Sequence, residues 1–231
     1  MNNLFISVII PSKNDEEVFL TNFNHIETYL KNQKWKYEII LVTNGSSKKN
    51  NSLIDSLKKI NFKHLKLEQS GKGLAIKHGI ENAIGDYILF LDADCSVKIN
   101  ELDKFIDKNK LIDDVVIGTR RTEESLNLHT PFIRRLSGAI YISLVKFLFK
   151  LNVTDTQCGF KVFKRKDYLL LENIRFNNFS FDIELLVNFN NSNLNIKEVP
   201  VDYVHNSDSK VLVIKDSLEM FFDLIRLKLR N

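Results

Sequence analysis

Short apolar runs alternate with amphipathic stretches along the first hundred residues. The apolar runs are rich in β-branched residues and predict buried strands at 4–11, 37–42, 64–67 and 87–91. Between them, apolar residues recur at helical spacing and predict helices that end near residues 30, 60 and 84. Strands that alternate with helices are typical of an α/β protein with a doubly wound, mostly parallel sheet.

The second half of the chain continues with a different composition. A helix at 101–108 and a strand at 115–119 are predicted first. Later elements are an apolar helix at 132–151, a polar turn at 154–161 leading into a strand, a helix at 181–190, a strand at 196–204 and an apolar helix at 211–230. No repeat or long linker interrupts the sequence, so we expect one domain over 1–231, with amphipathic helices within 131–152 and 211–231.

Polar turns follow each of the first four predicted strands. They lie at 12–17, 43–47, 70–73 and 92–94. The carboxyl ends of parallel strands meet at one edge of a sheet, which is where open α/β sheets bind ligands. We therefore expect these turns to converge on one rim.

Asp92-Ala93-Asp94 is the turn with the strongest chemical signal. A carboxylate pair at the end of a buried strand is costly unless a cation lies there. Mg²⁺ takes one or two carboxylates together with phosphate oxygens, so a metal that holds a diphosphate is one interpretation. An ordinary Asp-rich turn is the other.

Basic residues near the same rim suit an anionic ligand. Gly71-Lys72-Gly73 precedes a helix and can offer backbone N–H groups and an ammonium to phosphate, although it lacks Walker-loop spacing. The pairs Arg120-Arg121 and Arg134-Arg135 can bind phosphate through their guanidinium groups. A flexible loop and solvated surface charges are the alternative interpretations.

Composition narrows the class of protein. A net charge of +4 on 231 residues, without a stacking aromatic array, argues against nucleic-acid binding but allows a basic patch that faces an anionic substrate or membrane. Cys95 and Cys158 have no metal-ligand spacing, which predicts a reduced, cytoplasmic setting. We expect neither a signal peptide nor a membrane-spanning helix.

The apolar helices at 132–151 and 211–230 have apolar surface that is too broad for one core-facing stripe. They are expected either to pack against each other or in an oligomer interface, or to lie on a bilayer with Lys and Arg near lipid phosphates. The oligomeric state stays open.

Seven segments in order carry a family resemblance. They are SVIIPSKNDEE, EIILVTNGSS, GKGLAIKHGIENAIGDYILFLDAD, VIGTRR, DTQCGFKVFKR, FDIELL and EVPVDYVHNSDSK. Together they resemble family 2 glycosyltransferases of the polyprenyl-phosphate branch, which contains dolichyl-phosphate β-glucosyltransferases and mannose synthases. The resemblance implies a GT-A fold, an inverting transfer from a UDP-glucose or GDP-mannose type of donor, a Mg²⁺ or Mn²⁺ ion, and a polyprenyl (dolichyl or undecaprenyl) phosphate acceptor at the cytoplasmic face of a membrane.

The resemblance also implies residue roles. The nucleotide would be lined by Pro11, Asp15, Thr43 and Asn44, with Lys72 near its phosphates. Asp92 would contact ribose or metal, with Ala93 beside it, and Asp94 would be the principal metal ligand. Arg120 and one of Arg134 or Arg135 would meet the donor and acceptor phosphates. The sugar pocket would be shaped by Asp155, Gln157, Asp182 and Glu184, and Lys210 would close over the site.

Three positions depart from the family pattern. Thr43-Asn44 replaces the usual Asp-Asp pair, Ser96 stands where mannose synthases often carry Gln, and Asp208 replaces a Gly. The first departure concerns the contact with the nucleotide base, and the second points away from mannose synthases.

The acceptor decides which catalytic groups are needed. A phosphate monoester, with a second pKa of about 6, is largely ionised near pH 7 and needs positioning but no general base. A hydroxyl acceptor would need a carboxylate base, for which Asp155, Asp182 and Glu184 are candidates. The hypotheses are transfer to a polyprenyl phosphate, transfer to a glycan or other hydroxyl, and nucleotide-sugar binding without turnover.

Overall fold

A seven-stranded, mostly parallel sheet forms the centre of the molecule. The structure is a computed structural model that describes residues 4–57, 59–121, 132–169, 174–204 and 213–230, with 132–137 and 213–218 described by backbone alone. The sheet order is β3-β2-β1-β4-β8-β7-β9. Its strands are β1 (Phe5–Ser12), β2 (Lys36–Asn44), β3 (Phe62–Leu67), β4 (Tyr87–Leu91), β7 (Val115–Thr119), β8 (Phe160–Lys164) and β9 (Ile196–Pro200), and a separate hairpin pairs β5 (Ile106–Asp107) with β6 (Lys110–Leu111).

Helices cover both faces of this sheet. They are α1 (Glu16–Lys31), α2 (Lys48–Asp55), α3 (Lys72–Glu81), α4 (Phe132–Phe149), α5 (Arg165–Leu169), α6 (Phe181–Asn191) and α7 (Val213–Lys228). Alternate side chains of β1 divide the core: Val8 packs in the cluster that contains Phe19 of α1, and Ile9 packs in the cluster that contains Ile76 of α3. The predicted doubly wound α/β sheet is confirmed.

Strand β8 brings a later part of the chain to the rim. It runs antiparallel to both neighbours, and its first residue, Phe160, pairs with Leu91 at the end of β4. The segment 154–159 therefore lies at the same edge as the turns that follow β1, β2 and β4. This reversal explains how DTQCG comes to lie beside Asp92 although it precedes a strand.

The predicted helix at 101–108 is wrong. The structure has a 3₁₀ helix at Ile99–Lys104, followed by the β5–β6 hairpin. Apolar residues at 99, 102 and 105 are buried, and this spacing of three suits a 3₁₀ helix. Lys108 and Asn109 have positive φ, as two-residue hairpin loops require.

Two predicted boundaries also differ. Helix α2 ends at Asp55, five residues before the predicted end, and Ile60 is fully exposed, so the apolar residue that extended the pattern has no core to face. Strand β9 ends at Pro200, and Tyr203 makes only an isolated bridge with Val97.

Helices α4 and α7 pack against each other and leave apolar side chains in solvent. The inward side of α7 carries Leu224 and Leu227, which are buried. The exposed apolar side chains are Ile140 and Phe147 on α4 and Phe221, Phe222, Ile225 and Leu229 at the end of α7. Within the ranges that the structure describes, no helix combines the length and hydropathy needed to cross a bilayer.

We expect Gly79→Ala to destabilise the fold. A Cβ on Gly79 of α3 would lie 2.5 Å from Ile9 Cγ2 and 3.3 Å from Val42 Cγ2. Such overpacking costs about 1–3 kcal/mol, which urea unfolding measures. Gly138→Ala in α4 is the matched control, since its Cβ would meet only the end of the Arg121 side chain at 3.1 Å. A helical alanine there gains up to about 1 kcal/mol. Equal effects of the two substitutions would contradict the close packing of α3 on the sheet.

Candidate active site

Asp92 lies between α3 and the 154–159 segment at the end of β4. Its backbone N–H donates to Gly159 O at 3.2 Å, and Lys72 Nζ lies 2.9 Å from its Oδ1. A Cβ on Gly159 would overlap the carboxylate, so only glycine fits beside it. Burial opposes the charged form, but the Lys72 ammonium holds the pKa of Asp92 below its usual value. Asp92 is therefore ionised and positioned by two distant segments.

Asp94 is oriented by the turn that contains it. Ser96 donates to both of its carboxylate oxygens, from N to Oδ1 at 3.0 Å and from Oγ to Oδ2 at 2.6 Å. Asn22 Nδ2 of α1 donates to the Asp94 carbonyl at 3.4 Å. Ser96, the residue that departs from the mannose-synthase pattern, thus contacts the predicted metal ligand directly.

The donor set at this position suits a cation that also binds a diphosphate. In the described parts of the chain, no three His, Cys, Asp or Glu side chains cluster as an all-protein metal cage. Asp92 and Asp94 instead offer two carboxylates at one strand end. Mg²⁺ and similar ions are commonly held by one or two carboxylates, with substrate phosphates and water as the other ligands. The residues present therefore fit such an ion.

A buried ion pair lies beneath Asp92. Lys161 of β8 is fully buried, and its Nζ pairs closely with Asp182 Oδ1 at the start of α6. The same Nζ donates to Cys158 O at 2.7 Å and lies 4.7 Å from the Phe90 ring centroid. Asp182 Oδ2 is 3.7 Å from Lys72 Nζ. Burial lowers the pKa of Lys72, but Asp92 and Asp182 outweigh it and raise the pKa.

Arg120 and Asp155 form a second ion pair at the rim. The guanidinium donates twice, from Nε to Oδ2 at 2.7 Å and from Nη2 to Oδ1 at 2.9 Å, and lies 5.3 Å from the Tyr203 ring centroid. Despite burial, Arg120 holds the pKa of Asp155 below its usual value. The two charges fix each other, and Asp155 stays ionised.

Glu198 of β9 holds the turn that carries Asp155. It accepts the backbone N–H of Thr154 at 2.8 Å and that of Asp155 at 2.9 Å. Sequence reasoning did not find Glu198, because nothing local distinguishes it from a surface residue. It did not find Lys161 either, although a lysine inside the apolar run GFKVF, with a carboxylate in FDIELL, is a usable signal.

Asn44 connects three of the turns. Its Nδ2 donates to Ser12 O at 2.7 Å, and its Oδ1 accepts the Gly71 N–H at 2.9 Å. Thr43, also buried, contacts His64 Nε2 through Oγ1 at 3.1 Å. The Asn44 amide is thus engaged with backbone, and the roles of Thr43 and Asn44 in base binding stay predictions.

The remaining predicted nucleotide residues lie around Asn44. Pro11 is buried in β1 and pairs with Val42 in β2, while Asp15 is half-buried at the start of α1. The neighbouring Glu16 was not predicted, yet it is fully buried and accepts hydrogen bonds from Ser12 Oγ at 3.1 Å and Ser46 Oγ at 2.5 Å. It ties the turn after β1 to the turn after β2.

The other predicted residues fall into three groups. Ala93 is buried between the two aspartates, and Gln157 donates its backbone N–H to Asp155 Oδ1 at 3.2 Å. Glu184 Oε2 accepts two backbone N–H groups, those of Arg175 at 2.9 Å and Phe176 at 2.7 Å. The side chains of Arg134 and Arg135, in the first turn of α4, and all of Lys210 lie outside the described residues.

Comparisons with a family model and with known sequences agree on one class of protein. The family model described as "Glycosyl transferase family 2" matches residues 7–170. A dolichyl-phosphate beta-glucosyltransferase of Dictyostelium discoideum is 29% identical over 100% of this chain and 76% of its own length. The Homo sapiens protein of the same description is 28% identical over 97% of this chain and 75% of its own length.

Solved structures share the fold. Mannosyl-3-phosphoglycerate synthase from Rubrobacter xylanophilus superposes with a TM-score of 0.69 at 17% identity, covering 98% of this chain and 73% of its own. Glucosyl-3-phosphoglycerate synthase from Mycobacterium tuberculosis, in complex with Mn²⁺, UDP and glucosyl-3-phosphoglycerate, has a TM-score of 0.65 at 18% identity and covers 99% of this chain and 80% of its own. The predicted GT-A fold is confirmed.

We expect Lys161→Met to destabilise the protein strongly. The substitution leaves Asp182 buried without its close cation, and breaking a buried pair costs about 3–5 kcal/mol. Lys164→Met, on the same strand, is the control, since Lys164 and Asp114 are about one third exposed and form a 3.1 Å pair. Such a pair contributes about 0–1 kcal/mol. Similar losses for the two variants in urea unfolding would show that Lys161 is not the cation on which Asp182 depends.

Proposed function

Since this chain belongs to glycosyl transferase family 2, we propose that it transfers a hexose, glucose first among the candidates, from a nucleotide diphosphate sugar to a polyprenyl phosphate. The names of its relatives support a dolichyl-phosphate acceptor and glucose as the sugar. The physical support comes from the partners of the carboxylates at the rim and from the lowered pKa of Asp155.

The three carboxylates that could serve a hydroxyl acceptor as general base each have a partner within the chain. Asp155 is bound by Arg120, Asp182 pairs with Lys161, and Glu184 accepts two backbone N–H groups. An efficient general base has a pKa near the working pH, whereas Arg120 lowers that of Asp155. This favours an acceptor that arrives ionised, as a phosphate monoester does. It is the observation that carries the proposal.

The donor side follows from Lys72, Asp92 and Asp94. Asp94, with Asp92, would hold the divalent cation, Mg²⁺ or Mn²⁺, which when bound neutralises charge on the leaving diphosphate. Lys72 lies at the start of α3, where its ammonium and the helix N-terminus favour phosphate oxygens. Thr43, Asn44, Pro11 and Asp15 are proposed to line the nucleotide.

The transfer itself needs little proton movement. The bond from the sugar C1 to the diphosphate oxygen breaks and its electron pair leaves with the nucleotide diphosphate. A phosphate oxygen of the acceptor forms the new bond to C1 from the opposite side, with inversion. Arg120, together with Arg134 or Arg135, is proposed to position the phosphate groups, since a guanidinium group has five N–H donors and Asp155 takes two of those of Arg120. Asp155, Gln157 and Asp182 shape the sugar pocket, and Lys210 closes over it.

We further propose that the chain, as one domain over 1–231, works at the cytoplasmic face of a membrane. Phe222 and Ile225 on α7, with Leu229 directly after it, form an exposed apolar stripe, and Arg226, Lys228 and Arg230 lie along the same segment. Apolar side chains with adjacent cations suit the surface of an anionic bilayer, where each Lys or Arg contributes about 1 kcal/mol. A lipid-linked acceptor would be met there.

Transfer assays with matched acceptors test the function. UDP-glucose and GDP-mannose are each offered with polyprenyl phosphate, polyprenol or a soluble sugar, with Mn²⁺ or with chelator. We expect transfer to the phosphate alone, lost with chelator and reduced about 10²- to 10³-fold or more by Asp94→Asn. Asp86→Asn, exposed before the other end of β4, is the control and keeps full activity.

Other outcomes of these assays identify the competing functions. Transfer to polyprenol or to a sugar would establish a hydroxyl acceptor. Calorimetric binding of a nucleotide sugar without any turnover would establish a non-catalytic homologue.

Vesicle sedimentation tests the membrane contact. We expect the protein to bind vesicles that contain anionic phospholipid, less at high salt. Phe222→Ser should weaken binding about tenfold or more, because a buried phenylalanine contributes about 1.5–3 kcal/mol. Val18→Ser, an exposed apolar position on α1, is the control and should have no effect. Unchanged vesicle binding by Phe222→Ser, together with a changed oligomeric state, would assign the stripe to a protein interface instead.

A further inference from the structure

The hydroxyl of Tyr141 is a buried polar group without a hydrogen-bond partner among the described residues. Tyr141 lies in the middle of α4, and its ring packs against the apolar cluster that contains Phe181 of α6 and Leu224 of α7. Buried polar groups are almost always paired, and an unpaired one costs about 1–3 kcal/mol. A ligand that supplies the missing bond would remove this cost.

Other buried side-chain atoms of the described residues also lack a hydrogen bond. Four of them belong to Thr156, Gln157, Ser180 and Asp182. The segments that carry these residues meet at Lys161, whose Nζ donates to Cys158 O and pairs with Asp182. Unmatched donors and acceptors of this kind suit a ligand with many hydroxyl groups.

Asp182 has one oxygen to offer such a ligand. Lys161 bonds its Oδ1, whereas Oδ2 has an ion-pair contact with Lys72 at 3.7 Å and no hydrogen bond. A sugar hydroxyl both donates and accepts. It can therefore donate to Asp182 Oδ2 or accept from the Tyr141 hydroxyl.

The charges near Tyr141 favour a neutral ligand group. Burial, followed by the carboxylates of Asp182 and Asp223, raises the pKa of Tyr141, so its hydroxyl keeps its proton and remains a donor. Asp182 is paired with Lys161, and Asp223 with Arg226, so both carboxylates already have a cation within the chain. A neutral sugar hydroxyl can bond there without disturbing these pairs.

We propose that Tyr141 determines sugar specificity by hydrogen-bonding a hydroxyl group of the transferred hexose beside Asp182. The inference rests on the proposed function, because it assigns a contact within the donor site. It adds to the rim a residue from α4, the helix that also carries part of the exposed apolar surface.

Tyr141→Phe tests this contact, with Tyr168→Phe as the control. Tyr168 is also half-buried, but it lies on α5 and stacks on Phe163 at 6.1 Å. With the active donor and polyprenyl phosphate, we expect Tyr141→Phe to lower kcat/KM about tenfold, the effect of one neutral hydrogen bond. The loss should vanish with the deoxy analogue of the donor that lacks the partner hydroxyl. The melting temperature should not fall, and Tyr168→Phe should behave as wild type.

Calorimetry separates this inference from the proposed function. The affinity for UDP-glucose is compared with that for UDP, and the affinity for GDP-mannose with that for GDP, in the wild type and in Tyr141→Phe. We expect the sugar to strengthen binding to the wild type about tenfold more than to Tyr141→Phe, with nucleotide affinity unchanged. An equal sugar contribution in the two proteins, or none in the wild type, overturns the role of Tyr141. A wild type that binds the sugar through Tyr141 but transfers nothing to polyprenyl phosphate overturns the proposed function alone.

Discussion

The rim depends on one buried cation, the ammonium of Lys161. It pairs with Asp182, which faces Lys72, which in turn holds Asp92. Removing a charge from water costs several kcal/mol, so neither Lys161 nor Asp182, which are both fully buried, is tolerable without the other. Because positive and negative groups alternate along this series, their contacts hold β8, α6, α3 and the end of β4 in one arrangement. Asp92 stays ionised because the Lys72 ammonium beside it is built into the fold.

The described residues also leave some buried polar atoms unmatched. The ion pairs of the rim are formed within the chain, while the hydroxyl of Tyr141, the side-chain Nε2 of Gln157 and Oδ2 of Asp182 have no hydrogen bond among the described residues. Charges are thus neutralised in advance. Under the proposed function, the unmatched atoms are available to a neutral, polyhydroxylated ligand, and the site is stable before its substrate binds.

Much of the fold could be predicted because its signals are local. The alternation of strands and helices predicted the sheet, and the polar turns after the strands predicted the rim with Asp92, Asp94 and Lys72. Contacts between distant residues could not be predicted in this way: Lys161 meets Asp182 and Glu198 meets Thr154 only because β8 and β9 take particular places in the sheet. The 101–108 error arose because an apolar spacing of three also fits part of a helical pattern.

The position of β8 has a consequence for the order of assembly during synthesis. It lies between β4 and β7 in the sheet, although it is made after both. In a growing chain, strands β1 to β4 can pair early. Strand β7 joins that sheet only through β8, so it cannot do so until the chain has been made as far as residue 164. Gly159, just before β8, and Lys161 within β8 are made together, so Asp92 and Asp94 gain these neighbours only when β8 joins the two halves of the sheet. An incomplete chain consequently carries the aspartates but not the site.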